Sequence, residues 1–158
     1  MKARVVYSKF AALLTAVLLG VLAAGCVATF DEKISFFSML GILLVLIVAG
    51  LFYGAVYVKA DSRYLVLGSV LRGKKIPISK VVSVELFQPT MAAIRICASG
   101  GFMGYWGIFR ESDIGRYYGF YGKASDCFLV RMQNGDKYVV GCERPQEMVD
   151  YIRSQISA

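Results

Sequence analysis

The sequence predicts a mainly β protein with a membrane α-hairpin: two N-terminal transmembrane helices, then about seven antiparallel strands in a barrel or sandwich, and a C-terminal capping helix. Three observations predict this fold. Two long uncharged apolar runs stand near the N-terminus, strand-like runs separated by turn signals fill most of the remainder, and the last stretch changes to a helical period.

The composition favours a membrane protein. The 158 residues are 57% hydrophobic and 18% charged, whereas an average soluble domain is roughly 45–50% apolar and about 25% charged. The apolar content excludes disorder, and the length leaves room for one domain and an anchor. The chain has no histidine, which removes the usual general base at neutral pH and the commonest metal ligand.

The two uncharged runs define the domain organisation. At about 1.5 Å per residue, each is long enough to cross a hydrocarbon layer about 30 Å thick. We therefore expect a basic cytoplasmic tail at 1–9, a transmembrane hairpin at 10–58 with helices over 10–30 and 34–58, and a β domain at 59–158.

The distribution of charge predicts the orientation of the hairpin. The tail carries three basic residues, the break at 31–33 has a net charge of −1, and residues 59–80 hold six Lys or Arg against one acid. Because cytoplasmic loops tend to be positively charged, we expect both ends of the hairpin, and the C-terminal domain with them, on the cytoplasmic side of the membrane.

Cys26 supports a competing interpretation. Basic residues, an apolar core and the sequence Leu22-Ala23-Ala24-Gly25-Cys26 are similar to a bacterial lipoprotein signal, with Cys26 as the lipidated residue. The match is imperfect, because Ala23 stands where leucine is usual. The alternative, which we prefer, is an ordinary stretch of small residues within a membrane helix.

Strand and turn signals organise the domain, and a helical period ends it. The Asn134-Gly135 pair predicts a type I′ hairpin, because both positions of that turn need positive φ. Pro145 suits a first helical position, and the apolar stripe of the helix after it is expected to close one end of a barrel. The expected strands lie at 63–71, 75–78, 81–87, 92–98, 116–121, 126–132 and 137–142.

Three stretches carry a resemblance to a known family: 64–84 with its turn at Arg72-Gly73-Lys74-Lys75, the glycine and aromatic residues of 101–117, and the closing hairpin and helix from 134 onward. They resemble a pleckstrin-homology-like (PH-like) domain, and more specifically the small bacterial PH-domain family in which a membrane hairpin precedes the barrel. The resemblance covers about two-thirds of the chain. It implies the fold and a place in the bacterial cytoplasmic (inner) membrane more than it implies an activity.

A basic cluster is the first candidate site. In PH domains that bind phosphoinositides, basic residues around the first hairpin turn hold the head group. Here that turn is short, so we expect a looser attraction to anionic lipid and not a pocket specific for one head group. Polybasic segments beside an anionic leaflet gain about 1 kcal/mol per Lys or Arg. The alternative is that these charges only set topology and solubility. The candidate residues are Lys59, Arg63, Arg72, Lys74, Lys75 and Lys80.

Aromatic side chains form the second candidate site. Phe102, Tyr105, Trp106 and Phe109 alternate with glycines, which predicts a bent loop whose rings pack on the barrel. The alternative is an interface that dips into the membrane or binds a peptide, since Tyr and Trp favour surfaces with one wet end. No Gly-Lys-Ser/Thr follows the glycines, so they do not predict a nucleotide site.

The sequence therefore predicts a non-catalytic, membrane-anchored module that binds anionic lipid, a peptide or another membrane protein. The alternative is a structural subunit whose hairpin packs on a partner through the small residues Ala16, Gly20, Ala23 and Ala24. No nucleophile, base and orienting group assemble, and the four cysteines show no C-x-x-C spacing, so we expect no enzyme, cofactor or metal. Nucleic acid is not an expected partner, because the basic excess lies beside the anchor. The oligomeric state stays open.

Overall fold

The computed structural model describes residues 1–90 and 92–156. Over these residues the fold is mostly β with a helical hairpin, as the sequence predicts. In chain order the elements are β1 (Lys2–Arg4), α1 (Lys9–Ala28), α2 (Lys33–Tyr53), β2 (Tyr57–Ala60), β3 (Tyr64–Gly68), β4 (Gly73–Pro77), β5 (Val81–Leu86), β6 (Ile94–Gly101), β7 (Gly104–Glu111), β8 (Gly115–Tyr121), β9 (Cys127–Met132), β10 (Lys137–Gly141) and α3 (Pro145–Ile156).

Helices α1 and α2 form the hairpin and are long and apolar enough to cross a membrane. The Ser8 hydroxyl caps α1 by accepting a hydrogen bond from the Ala11 N–H. In the most apolar 18-residue stretch of α1, only 11% of the residues are buried inside the protein. In the corresponding stretch of α2 the share is 6%. Neither helix is therefore a core helix of the β domain.

The first sheet has the order β1-β2-β3-β4, with every pair antiparallel. It begins in the segment that we expected to be a basic tail, because Ala3 pairs with Val58 and both are buried. Strand β2 lies in the segment 57–60, so α2 ends at Tyr53, earlier than the predicted 58. The alternation of buried Val58 and Ala60 with exposed Lys59 explains why this segment is a strand.

The second sheet has the order β5-β9-β10-β8-β7-β6. With the first sheet it gives ten strands over the described residues, where the sequence predicts about seven, and β8 pairs with β10 in parallel. The glycine and aromatic stretch that we expected to be a bent loop contains strand β7. Gly107 has a φ of +116°, and a Cβ there would overlap the carbonyl oxygen of Cys97 on the neighbouring strand.

The main core lies between the inner faces of the two sheets and α3. Met148, Val149 and Ile152 of α3 are fully buried against the core that contains Leu67 and Val130. Helix α3 packs mainly on β5. It buries its apolar stripe, as predicted for a capping helix.

A second, smaller core lies on the outer face of the six-stranded sheet. The chain between β5 and β6, described at 87–90 and 92–93, connects the two opposite edges of that sheet and therefore crosses its face. The buried Glu111 side chain fixes this crossing, because its Oε1 accepts hydrogen bonds from both the N–H and the hydroxyl of Thr90. The residues of this core are Phe109, Ile114, Tyr117, Tyr121, Cys127, Leu129 and Val139.

The turn between β6 and β7 joins the β domain to both helices. The Met103 N–H donates to Thr15 Oγ1 of α1 at 2.9 Å, and the Ala55 N–H, just after α2, donates to the Met103 carbonyl at 3.2 Å. A Cβ at Gly50 of α2 would overlap the sulfur of Met103. Gly50 therefore gives the tip of the β6–β7 hairpin room to pack against α2.

Substituting Gly50 with leucine is expected to destabilise this junction. Overpacking of a filled site costs roughly 1–3 kcal/mol, so the melting temperature of the full-length protein in detergent should fall by several degrees. Gly41→Leu is the matched control, because a Cβ at Gly41 of α2 meets nothing within 4 Å. Equal melting temperatures for the two variants would contradict the proposed packing.

Candidate functional site

The β3–β4 hairpin separates the predicted basic residues. Lys74 pairs with Leu67, whose side chain is buried on the inner face, whereas Lys75 pairs with Val66 on the outer face. Because consecutive strand residues point to opposite faces, these two neighbouring lysines belong to different surfaces.

Lys74 and Arg72 lie beside a small cavity, which we call the basic pocket. It has a volume of about 210 Å³ and lies between the β3–β4 turn, the C-terminal end of α2 and strand β8. Its lining residues are Phe52, Tyr53, Leu67, Ser69, Arg72, Lys74, Tyr118 and Phe120.

The charged groups of Lys74 and Arg72 both lie over the faces of tyrosine rings. Lys74 Nζ lies 4.2 Å from the centroid of the Tyr118 ring and 4.7 Å from that of Tyr138. Arg72 Cζ lies 5.9 Å from the Tyr53 centroid. Tyr53 stacks on Trp106 with a centroid separation of 5.4 Å, which extends the aromatic wall. Each cation over a ring face is worth roughly 0.5–1 kcal/mol at an exposed site.

Partial burial shifts the pKa of Lys74 and of two neighbouring phenols. Desolvation lowers the pKa of Lys74, the positive charge of Arg72 lowers it further, and Asp136 opposes both effects. Burial also raises the pKa of Tyr118 and of Tyr138, so their hydroxyls stay protonated and able to donate hydrogen bonds. The pocket therefore combines two cations with phenol donors, a chemistry suited to a phosphate or carboxylate.

The other four predicted basic residues lie elsewhere. Lys59 is on the outer face of the first sheet and forms an ion pair with Asp61 at 3.0 Å, and Lys75 shares that face. Arg63 and Lys80 are exposed at the end of the hairpin opposite the turn. The structure thus brings together Arg72 and Lys74 but not the remaining four.

Tyr53, Ser69 and Tyr118 belong to the basic pocket but were not identified from the sequence. The position of Tyr53 after a long apolar run is a signal that was available, since tyrosine is enriched where a membrane helix meets water. Ser69 is buried in the β3–β4 turn. Its place, like that of Tyr118, depends on strand pairing.

The four predicted aromatic residues also separate. Phe102 is buried at the β6–β7 tip, and Phe109 is buried in the second core, where it stacks on Tyr117. Tyr105 stacks on Tyr121 on the same face as Phe109. Trp106 lies on the opposite face of β7, beside the basic pocket, and its Nε1–H donates to the Phe102 carbonyl at 3.0 Å.

Comparison with known proteins identifies one family. A family model described as a bacterial PH domain matches residues 56–156, about two-thirds of the chain. Neither the comparison with curated proteins nor the comparison with solved structures gave a match.

Lys74 is expected to titrate below the ordinary lysine range, because desolvation disfavours its charged form. Reductive ¹³C-methylation followed by an NMR titration of the full-length protein measures this pKa, and the Lys74→Arg variant assigns the signal. Adding glycerol phosphate should shift the pKa upward, since an anion stabilises the ammonium form. A Lys74 signal with an ordinary pKa that does not respond to phosphate would contradict this description of the site.

Proposed function

The chain belongs to the bacterial PH domain family, and we propose on that premise that it is a non-catalytic binding module anchored in the bacterial cytoplasmic membrane. Its C-terminal domain faces the cytoplasm, and its ligand is the head group of an anionic lipid in the adjacent leaflet. The observation that carries this proposal is the basic pocket at the end of α2, with Arg72 and Lys74 in its wall.

The arrangement around the hairpin supports membrane anchoring. Strand β1 precedes α1 and pairs with β2, which follows α2, so both ends of the hairpin meet in one sheet. Two crossings of a bilayer return the chain to the side on which it started, which fits this pairing. The basic residues on both flanks favour the cytoplasmic side.

The residues around the basic pocket support its placement at the surface of a bilayer. Val70 and Leu71 of the β3–β4 turn are exposed, and the Leu71 N–H donates to the Leu51 carbonyl in the last turn of α2 at 3.0 Å. The stacked pair of Tyr53 and Trp106 adjoins them. Apolar turn residues with a Tyr–Trp pair at a helix end are typical of the membrane–water interface.

A phosphate in the basic pocket would offset the cost of desolvating Lys74. The pocket lies where α2 is expected to leave the bilayer, which is the depth of lipid head groups. Contacts near an anionic leaflet are worth about 1 kcal/mol per basic residue. Two such residues beside phenol donors favour binding over a purely topological role for these charges.

The location of β1 favours an intact first helix over processing at Cys26. Cleavage before Cys26 would separate β1 from the sheet, although Ala3 and Val5 are buried in the main core. Cys26 itself is buried in the helical hairpin. We therefore propose that α1 remains attached as a membrane helix.

The small-residue face of α1 supports a second candidate function, that of a structural subunit. Ala16, Gly20, Ala23 and Ala24 are all exposed, and a Cβ at Gly20 would meet nothing within 4 Å. This face is therefore open to a helix of a partner protein. A stoichiometric membrane protein that purifies with the intact chain would support this candidate.

The single tryptophan, Trp106, provides a direct test of lipid binding. The full-length protein is placed in phosphatidylcholine nanodiscs, and an increasing fraction of phosphatidylglycerol is added. We expect a saturable change in tryptophan emission, because Trp106 stacks on Tyr53 in the pocket wall. Loss of two contacts of about 1 kcal/mol each in Arg72→Gln/Lys74→Gln should raise the half-maximal fraction more than about tenfold.

The matched control for that test is Lys59→Gln/Lys80→Gln, which removes the same charge away from the pocket. It should respond as the parent protein does. Equal weakening of both double variants would mean that only the overall charge matters, and an unchanged emission at every phosphatidylglycerol fraction would contradict lipid binding in this pocket.

Cys97 tests the orientation, because it is exposed whereas the other three cysteines are buried. Burial raises the pKa of Cys142 to about 11 and also raises that of Cys127, and the thiolate is the reactive form. A membrane-impermeant maleimide should therefore label Cys97 in inverted membrane vesicles but not in intact cells. Cys97→Ser should abolish the label, and labelling of intact cells would contradict a cytoplasmic domain.

A further inference from the structure

A second cavity lies on the outer face of the six-stranded sheet, opposite the basic pocket. Its volume is about 290 Å³, close to the lower end for small-molecule sites. Most of its wall is apolar or aromatic. Its lining includes Phe10, Ala93, Arg95, Tyr105, Phe109 and Tyr121.

Contacts between described residues hold two walls of the cavity in place. The rings of Tyr105 and Tyr121 are stacked on neighbouring strands with a centroid separation of 5.0 Å. The chain that crosses the sheet forms another wall, and the bonds from Thr90 to the buried Glu111 hold it in place. The aromatic wall and the wall at Thr90 are therefore both fixed by contacts of described residues.

Among the described residues that line this apolar cavity, Arg95 is the charged one, so the charge in the wall is positive. Over the described residues Arg95 forms no ion pair with an acidic side chain, and Glu111 does not line the cavity. The guanidinium lies over Gly100, where a Cβ would be 2.5 Å from Arg95 Cζ. The absence of a side chain at Gly100 thus allows the guanidinium to occupy this position.

The cavity adjoins the start of the first membrane helix. Ser8 caps α1, and Phe10 in its first turn is 58% exposed. With the membrane placement proposed above, on which this step rests, that end of α1 is at the surface of the bilayer. An amphiphile leaving the lipid phase would meet the cavity there.

We propose that this cavity binds a free fatty acid from the membrane, with the acyl chain among the aromatic rings and the carboxylate at Arg95. Apolar walls bury a chain. The Arg95 guanidinium, which has no ion pair among the described residues, suits a carboxylate, which it can bind through two parallel hydrogen bonds. The size of the cavity fits one chain rather than the two of a phospholipid. The site is separate from the basic pocket, since Tyr105 and Trp106 face opposite sides of β7.

Photo-crosslinking in nanodiscs tests this proposal. The full-length protein is exposed to a diazirine-bearing dodecanoic acid, irradiated, and mapped by mass spectrometry. We expect crosslinks at Tyr105, Phe109 and Tyr121. Ala93→Phe, which fills the cavity, should reduce them more than tenfold, whereas Ala92→Phe on the exposed neighbouring residue should not.

A second variant and a second probe test the role of the carboxylate. Arg95→Gln should reduce crosslinking several-fold, and the methyl ester of the same probe should crosslink poorly to the parent protein. Crosslinks confined to α1 and α2, or equal labelling by acid and ester, would overturn the proposal. Arg72→Gln/Lys74→Gln should leave these crosslinks unchanged, so this result is independent of lipid binding in the basic pocket.

Discussion

The contact of the β6–β7 tip with both helices is the interaction on which the rest of the molecule depends. Met103 packs where Gly50 has no side chain, and its backbone is bonded to Thr15 and Ala55. This junction fixes the β domain against both ends of the helical hairpin. The basic pocket lies at the end of α2 and the fatty-acid cavity at the start of α1, so both sites require this docking.

The two sites are separate and carry different charged residues because they use opposite faces of the same strands. On one face, Tyr118 lines a pocket with two cations from the β3–β4 hairpin, and Trp106 stacks on Tyr53 of the same pocket. On the other face, Tyr105 and Phe109 form an apolar wall with one arginine nearby. A β-strand places successive side chains on opposite faces, so one aromatic stretch supplies walls to both sites.

Local patterns predicted the elements whose stability is local, and missed those that depend on distant partners. The apolar runs, the Asn134-Gly135 pair and the period after Pro145 identified α1, α2, the β9–β10 hairpin and α3, and the resemblance to PH-like domains is confirmed by the family match. The predicted type I′ turn is wrong, because φ is positive at Gly135 but not at Asn134, and the Met132 N–H donates to the Asp136 carbonyl across a longer loop. Strands β1 and β2 were missed because both are short and pair with other strands, β1 with β2 across the whole helical hairpin and β2 also with β3. Strand β7 was missed because its glycines suggest a loop, whereas the close approach of β6 requires them.

The sequence by itself determined the helical hairpin, the β domain and the basic character of residues 59–80, because hydrophobic periodicity and charge are properties of neighbouring residues. Only the tertiary structure decided which charges act together. Arg72 and Lys74 meet Tyr53 and Tyr118, while Lys75, next in the chain, faces away. The same reason applies to Glu111, which is buried and accepts hydrogen bonds from Thr90, a residue distant in the chain. Such tertiary contacts depend on strand register and on the path of distant segments, which a local sequence pattern does not predict.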